Sequence, residues 1–371
     1  MHVAIIGSRG YPYVYSGYET FVQYLVEGLV ARNIEVTVYC HRNLFQKRPK
    51  KVNGVNLIYF PSVRSKALSQ LLNSSISFVH AIYCHYDVIL VINAANGPFG
   101  LLTRWAGKPS VINVDGLEWL RPKWKGFGAT YFKWAAKQAC RFYDVIINDS
   151  DEMRRVYLKE FNRESVVIAY GGVTAEKTNA ESLIKWNLKS GGYYLIVGRL
   201  IPDNNADILI DGFTSSDSSK KLVVVGDVPY QDDYAERIKG LQDQRLVFTG
   251  YVKESEILSA LYEHAYGYLH GHEFGGTNPT MLQALACGSA ILALNTPFNQ
   301  EMLQNGKFGL FFEKNAESVK SLVNWADSNM ETIEKMKSES HKGITKKYTW
   351  EHVIENYMKV FEGLVKNKLS K

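Results

Sequence analysis

Cysteine is scarce. Cys40, Cys84, Cys140 and Cys287 are the four in 371 residues, scattered, with no CxxC pair and no histidine partner at ligand spacing. That excludes a disulfide framework, argues against a zinc site and fits a reducing cytoplasm. Long apolar runs are also missing. The most apolar stretch, Val88 to Trp105, is broken by Asn93, Asn96, Gly97, Pro98 and Gly100, so no segment reads as a membrane-spanning helix. The opening MHVAIIGSRG reads as a strand and a turn and not as a signal peptide. There is no GxGxxG, so the dinucleotide fingerprint fails, and no short-period repeat or low-complexity tract is visible. The excess of positive charge is small, +6, and no recognised nucleic-acid motif accompanies it, so nucleic acid is not expected as a partner.

What remains is a globular composition, 46% hydrophobic and 22% charged. The length favours two domains over one core. Charge is uneven: residues 1–170 carry about nine more basic than acidic side chains, and the remainder is slightly acidic. A basic half suits an anionic membrane or a phosphorylated ligand.

The pattern along the chain is strand, helix, strand. Strands are expected at His2 to Ile6, Glu35 to Tyr39, Val55 to Phe60, Val88 to Asn93, Ser110 to Val114, Val145 to Asn148 and Ser165 to Ala169, with a helix over Thr20 to Arg32 capped by Ser16 or Thr20. After Gly171-Gly172 and a stretch read as linker and helix (Thr174 to Leu188) the pattern restarts. Strands follow at Tyr193 to Val197, Leu222 to Val225, Leu246 to Thr249, Gly267 to His270, Ser289 to Leu294 and Gly309 to Phe312. Alternation with buried-strand composition means doubly wound parallel α/β sheets, two in succession. A final helix runs from Trp350 to about Lys368 with an apolar stripe of Val353, Tyr357, Val360, Phe361 and Leu364.

Several strand ends carry chemistry. In HGHEFGGTNPTMLQALACG, residues 270–288, a polar glycine turn precedes a helix with Pro279 in its first turn, Asn278 as its cap and Gly288 at its end. Backbone N–H groups at such a turn, with the positive end of the helix dipole behind them, bind phosphate. Arg199 follows a strand in VGRLIPDNN, where ligands of open α/β sheets bind and where a guanidinium can grip a diphosphate. Gly250 and Tyr251 end another strand in VFTGYV. Near the N-terminus, GSRGYPYVYSGYET places Gly10, Gly17 and Glu19 in a glycine-rich loop between a strand and a helix.

Together, VGRLIPDNN, VFTGYV, HGHEFGGTNPTMLQALACG and the terminal YTWEHVIENY resemble the retaining, family 4 type of GT-B glycosyltransferase over essentially the whole chain. More narrowly, GSRGYPYVYSGYETF, NVDGLEWLRPKW and GGTNPTMLQALACG resemble the bacterial rhamnosyltransferase branch of capsule, rhamnan and exopolysaccharide synthesis. The resemblance implies a GT-B fold: two Rossmann-like domains facing a central cleft, residues 1–172 binding acceptor and 173–349 binding nucleotide sugar, with the helix of 350–371 crossing back to the N-terminal domain. It implies transfer from a nucleotide sugar, dTDP-rhamnose in that branch, to a polyprenyl-diphosphate-linked glycan at the inner leaflet of the cytoplasmic membrane. Other nucleotide sugars, an epimerase on the same scaffold and a non-catalytic homologue are the rival readings.

The resemblance also assigns residues. Arg199 matches the arginine on the donor diphosphate; the lysine usual five positions on is Asn204. Gly275, Gly276, Thr277 and Asn278 then carry more of the phosphate contact. Of the family's spaced glutamate pair, the second, which grips the ribose, falls on Gln283, and the first on His272 or Glu273. Gly250 and Tyr251 match the base-holding region, and Gly10 and Gly17 the loop closing near the sugar. Asp115 matches a position close to the reacting sugar, with an Asx turn before Gly116 as its bland alternative. No Asp-x-Asp lies at a strand end and Asp232-Asp233 reads as a turn or helix start, so no metal and no cofactor are expected. Glu118, Trp119, Arg121, Lys123 and Trp124 mix aromatics with cations, and Ser65 to Ile82 gathers Leu68, Leu71, Leu72, Phe78, Val79 and Ile82 near one helical face. Both suit acceptor or membrane contact, and equally a core helix with a basic edge.

Overall fold

A computed structural model describes residues 1–12, 17–62, 66–114, 116–122, 124, 126–172, 178, 180–228 and 232–369. The chain divides into two compact units. The first is Met1–Leu120 with Trp124–Gly171 and Lys347–Lys371; the second is Arg121–Lys123 with Gly172–Lys346.

The first unit is built on β1 (His2–Ile6), β2 (Glu35–His41), β3 (Lys51–Val52), β4 (Val55–Phe60), β5 (Val88–Ile92), β6 (Ser110–Asn113), β7 (Val145–Asn148) and β8 (Val166–Val167), in the spatial order β3-β4-β2-β1-β5-β6-β7-β8. Residues 3–6 of β1 and all of β5 are apolar and buried. Strands covered on both faces by helices read this way, and β1 pairs in parallel with β2 and β5. Strand β3 has no counterpart in the sequence reading. It is two residues long and joins β4 antiparallel through Asn53 and Gly54, both at positive φ, a turn that a search for apolar runs passes over.

Helices α1 (Gly17–Val30), α2 (Lys66–Tyr83), α3 (Gly100–Trp105), α4 (Phe127–Phe142) and α5 (Asp151–Phe161) complete the layers. Helix α1 starts three residues before the expected Thr20, which therefore lies inside its first turn and does not cap it; Ser16 lies outside the described residues. Helix α2 is a core helix: Phe78 is buried and stacked on Phe99, and Asn73, Ser74 and Ser77 are buried with it. Asn73 donates to the Cys40 and Phe60 carbonyls. Among its described apolar residues Leu72, Val79 and Tyr83 are exposed along one face, whereas Phe78 and Ala81 are turned into the core; nothing is described of the Leu68 side chain.

The second unit carries β9 (Tyr193–Val197), β10 (Lys221–Val225), β11 (Leu246–Gly250), β12 (Gly267–His270), β13 (Ile291–Leu294) and β14 (Leu310–Phe312), all parallel, in the order β11-β10-β9-β12-β13-β14. The helices are α6 (Ala206–Thr214), α7 (Asp233–Lys239), α8 (Ser255–Glu263), α9 (Pro279–Ala286), α10 (Pro297–Met302), α11 (Ala316–Ser328) and α12 (Met330–Ser340). Tyr194, Leu209, Phe213, Leu292, Val319 and Val323 anchor the core. Asp232 caps α7, accepting from the Ala235 amide at 3.2 Å. Sheet order radiates from β9 in both directions, so the chain changes direction between β9 and β12. Ligands of doubly wound sheets bind at that switch point, outside the carboxyl ends of the strands.

The last helix, α13 (Trp350–Leu369), belongs to the first unit. Trp350 stacks on Tyr24 of α1 at 4.6 Å, the Tyr357 hydroxyl accepts from the Asn113 amide at 2.7 Å, and Arg32 pairs with Glu351 at 2.8 Å. Gly28 on α1 has no room for a side chain because Ile354 fills the space.

Candidate functional site

The carboxyl edge of the second sheet is stripped of side chains where β9, β10 and β11 end. The Gly198 amide donates to the Val225 carbonyl at 3.0 Å, and the Gly226 amide to the Gly250 carbonyl at 2.9 Å. A Cβ on Gly226 would collide with the Gly198 carbonyl, and Gly226 and Gly250 both hold positive φ. Backbone is thereby laid bare at the strand ends. Arg199 follows at once. It is exposed, and among the described residues no carboxylate pairs with its guanidinium. Its backbone is fixed: its carbonyl accepts from the Ile201 amide at 2.9 Å and from the Asn204 side-chain amide at 2.8 Å. The Asn204 side-chain amide nitrogen thus holds the Arg199 turn, and the residue is 8% exposed.

Across the switch point, β12 ends in His270, which is buried and bonded through Nδ1 to the Tyr268 hydroxyl at 2.9 Å. Its ring stacks on that of His272, centroids 4.6 Å apart. His272 lies against Gly198, and its carbonyl accepts from the Asn299 amide at 3.1 Å. Glu273 goes elsewhere. Its carboxylate pairs with Lys314 at 2.6 Å, and its amide donates to the Asp203 carbonyl at 3.2 Å. Of the two candidates for the sugar-facing position, His272 therefore borders the strand-end crevice with Arg199, while the Glu273 carboxylate is engaged by Lys314.

Burial, and then the charges of Arg199 and Arg121, push His272 down to about 3. Burial, and then His272, hold His270 well below the ordinary imidazole value. His272 is therefore neutral in the fold at pH 7. Its folded pKa lies below that of the unfolded chain, so the unfolded state binds the extra proton and stability falls as pH drops below about 6.5. Between pH 7 and pH 5 this one group should cost up to about 2 kcal/mol. Urea unfolding at several pH values checks it: the loss on acidification should shrink in His272→Gln, and an identical pH dependence in that variant would refute the assignment.

The glycine turn leads into α9 as expected. Gly275 is at φ +120° and Gly276 and Thr277 are buried. Asn278 caps the helix, accepting from the Thr280 amide at 3.0 Å, Pro279 opens it and Gly288, at positive φ, follows its end. Gln283 on α9 gives its amide hydrogens to Ser259 and Cys287 at 3.2 and 3.4 Å. Tyr251 is 69% exposed just past Gly250, where a flat ring could stack on it.

Arg121, expected among the acceptor or membrane contacts, is largely buried. It is not a surface cation. Its side chain is 14% exposed, its Nη1 lies 3.7 Å from the Asp203 carboxylate, and its Nη2 faces Gly275, 3.8 Å from where a Cβ would stand. No local period or motif signals a pairing between residues so far apart in sequence.

In the first unit the candidates behave differently. Gly10 packs against Cys40 and Phe45, which leave no space for a side chain. Gly17 is the exposed first residue of α1, and the buried Glu19 accepts from the Arg9 amide at 3.3 Å, tying the loop to the helix. Glu118 is buried and accepts from the Trp124 indole at 2.7 Å, which removes it as an outward acceptor contact. Trp119 packs edge-on against Tyr157 and Phe161. Asp115 and Lys123 lie outside the described residues. Between α4 and α5 runs an open groove of about 1050 Å³, lined by Trp119, Lys133, Trp134, Lys137, Arg141 and Lys159 among others. Phe127 and Trp134 are exposed on α4, and Lys133 pairs with Glu160 at 2.8 Å. No described helix is long and apolar enough to cross a membrane. Among the described residues no cluster of histidine, cysteine, aspartate and glutamate gathers as metal ligands.

Two α/β units, each a parallel Rossmann-like sheet, with a bare strand edge and an arginine at the second switch point, define a GT-B fold. Solved structures of that fold match along the whole chain: sucrose-phosphate synthase of Thermosynechococcus elongatus (TM-score 0.81, 17% identity, 99% of both chains) and Anabaena HepE in complex with UDP-glucose (TM-score 0.75, 16% identity, 98% of this chain and 99% of that one). Residues 179–343, within the second unit, match the family described as glycosyl transferases group 1. Residues 1–173 match a domain of unknown function, DUF1972. A curated relative, an uncharacterized glycosyltransferase of Methanocaldococcus jannaschii, is 26% identical over 249 residues, which span 63% of this chain and 62% of the relative.

Proposed function

We propose that the chain is a retaining glycosyltransferase that moves a sugar, rhamnose from dTDP-rhamnose, to a polyprenyl-diphosphate-linked glycan in cell-surface polysaccharide synthesis, without a metal. The carrying observation is the switch point of the second unit: Arg199, unpaired by any described carboxylate, beside the strand edge bared at Gly198, Gly226 and Gly250. The group 1 match covers the same unit and supports a glycosyl donor. The narrower resemblance supports rhamnose. UDP-glucose in the HepE complex favours a second reading, transfer of a hexose from a UDP-sugar.

In the reaction the bond from C1 of the sugar to the β-phosphate oxygen breaks, and its electron pair goes to the diphosphate. The acceptor hydroxyl oxygen bonds to C1 on the same face and passes its proton to the leaving phosphate. Negative charge grows on the diphosphate as the sugar gains oxocarbenium character, so stabilising that charge is the protein's main task. Arg199 and the glycine turn at Gly275 and Gly276 are suited to it. Neutral His272 can hydrogen-bond a sugar hydroxyl without adding charge. In this reading the Gln283 side-chain oxygen serves the ribose, Tyr251 the base, and Asp115 the acceptor.

The acceptor's lipid implies work at the inner leaflet, and the cationic, aromatic groove of α4 and α5 fits anionic head groups. Full-length protein incubated with a panel of nucleotide sugars and a synthetic polyprenyl-diphosphate glycoside, read by mass, tests the reading. A deoxyhexose increment from dTDP-rhamnose alone is expected. A hexose from a UDP-sugar would select the second reading, and no increment from any donor would refute transfer. Flotation with phosphatidylglycerol vesicles should weaken as salt rises; salt-independent binding would count against the basic groove.

A further inference from the structure

We propose that the groove between α4 and α5 seats the diphosphate of the acceptor lipid, and that it selects a polyprenyl diphosphate over ordinary bilayer phospholipid. The inference rests on the reading above and adds to it the residues that hold the lipid end of the acceptor. The side chains that line the groove all belong to the first unit. Helix α4 has no aspartate or glutamate in its sequence, FGATYFKWAAKQACRF. Its cations Lys133, Lys137 and Arg141 recur every four residues and so share one face, neighbours being about 5–6 Å apart at Cβ. Lys159 joins them from the α5 wall. Glu160 is the carboxylate of the lining, and Lys133 takes it at 2.8 Å. Lys137, Arg141 and Lys159 are exposed, and none has a carboxylate partner among the described residues.

Like charges four residues apart on a helix destabilise it. The α4 row is therefore a cost to the fold that a bound anion relieves. A phosphodiester head group brings a single charge and relieves a single cation. A diphosphate brings more charge within the span of neighbouring helical turns, and it suits cations that converge from two walls. The rest of the lining is largely apolar. Trp134 is 48% exposed on α4, and Trp119 is held edge-on by Tyr157 and Phe161. Aromatic rings beside cations suit the level at which a lipid head group meets its chain. The groove, about 1050 Å³, is open, so a lipid head enters it without rearrangement of the unit. The alternative occupant is the phospholipid of the bilayer itself, drawn by charge alone.

Flotation of the full chain with phosphatidylcholine vesicles, in the absence of donor, separates the two. One set of vesicles carries undecaprenyl diphosphate and the other phosphatidylglycerol, at matched surface charge. The parent should bind the diphosphate vesicles about tenfold more tightly. Lys137→Gln/Arg141→Gln should abolish that preference, and Lys159→Gln, on the other wall, should reduce it. Lys307→Gln/Lys335→Gln removes the same charge from exposed positions of the second unit and should keep it. Arg199→Ala should keep it as well, which separates the groove from the donor site. Groove variants that melt like the parent and retain the preference would overturn the proposal. So would a parent that binds both vesicles equally, the mark of a general anionic surface. Transfer is scored separately. A parent that prefers diphosphate vesicles but transfers no sugar from any donor overturns the glycosyltransferase reading and not the groove. A parent that transfers sugar and shows no preference overturns the groove and not that reading.

Discussion

Deleting residues 350–371 should leave the first unit without a stable fold. Val353, Ile354, Tyr357 and Phe361 are buried, and Trp350 stacks on Tyr24. Full burial of four such side chains is worth roughly 6–12 kcal/mol as an upper estimate, about the net stability of a whole domain. The deletion also exposes Phe21, which packs against Tyr357, and strips the Asn113 amide of its 2.7 Å partner. The truncated chain should lose the cooperative unfolding transition of that unit, seen by circular dichroism on urea titration, and fast amide exchange should spread over β1, β5 and α1. A truncated protein with parental exchange protection would show that α13 is an accessory.

Replacing Arg199 by alanine should have the largest effect on turnover. In the proposed reaction its guanidinium meets charge that grows only as the glycosidic bond breaks. Removing one such donor typically costs a hundred- to a thousandfold in rate, roughly 3–4 kcal/mol. Stability should scarcely move, because Arg199 is exposed and its carbonyl, which the Asn204 amide engages, survives the change. Arg199→Lys should restore part of kcat/KM, since charge returns without the planar fork. Alanine at 199 with turnover within threefold of the parent, under donor-limited conditions, would remove this residue from the chemistry.

Much of the architecture is legible in the sequence because parallel strands buried on both faces leave continuous apolar runs. Tyr193–Val197 and Val88–Ile92 stand out for this reason, and Pro279 marks the first residue of α9 while Gly288 follows two residues after its last. What is hidden depends on contacts between distant residues. The inward face of α2 looks amphipathic in the sequence, yet its buried Asn73 is explained only by carbonyls from β2 and β4. Asn204 occupies a position where the resemblance leads one to expect a lysine, and its bond to the Arg199 carbonyl is a matter of local backbone that composition does not reveal. Arg121 reads as one more cation in an aromatic, basic stretch, and only the folded second unit brings Asp203 to it. The ambiguity between His272 and Glu273 is one of direction, and Lys314 decides where the glutamate goes.

The placement of α13 has a consequence for how the protein is made. Its residues are translated after all of Gly172–Lys346, yet they belong with Met1–Leu120 and Trp124–Gly171. During synthesis the second unit has its whole sheet available before the first has its last helix. Domains tend to fold as they emerge, so here the order is inverted: the half made first must wait, with the apolar surface around Phe21, Gly28 and Tyr170 uncovered, until the half made second has been completed. A nascent chain of this protein is therefore exposed to chaperones and to aggregation through its oldest segment, and a stalled or shortened message yields a folded second unit tethered to an unfinished first.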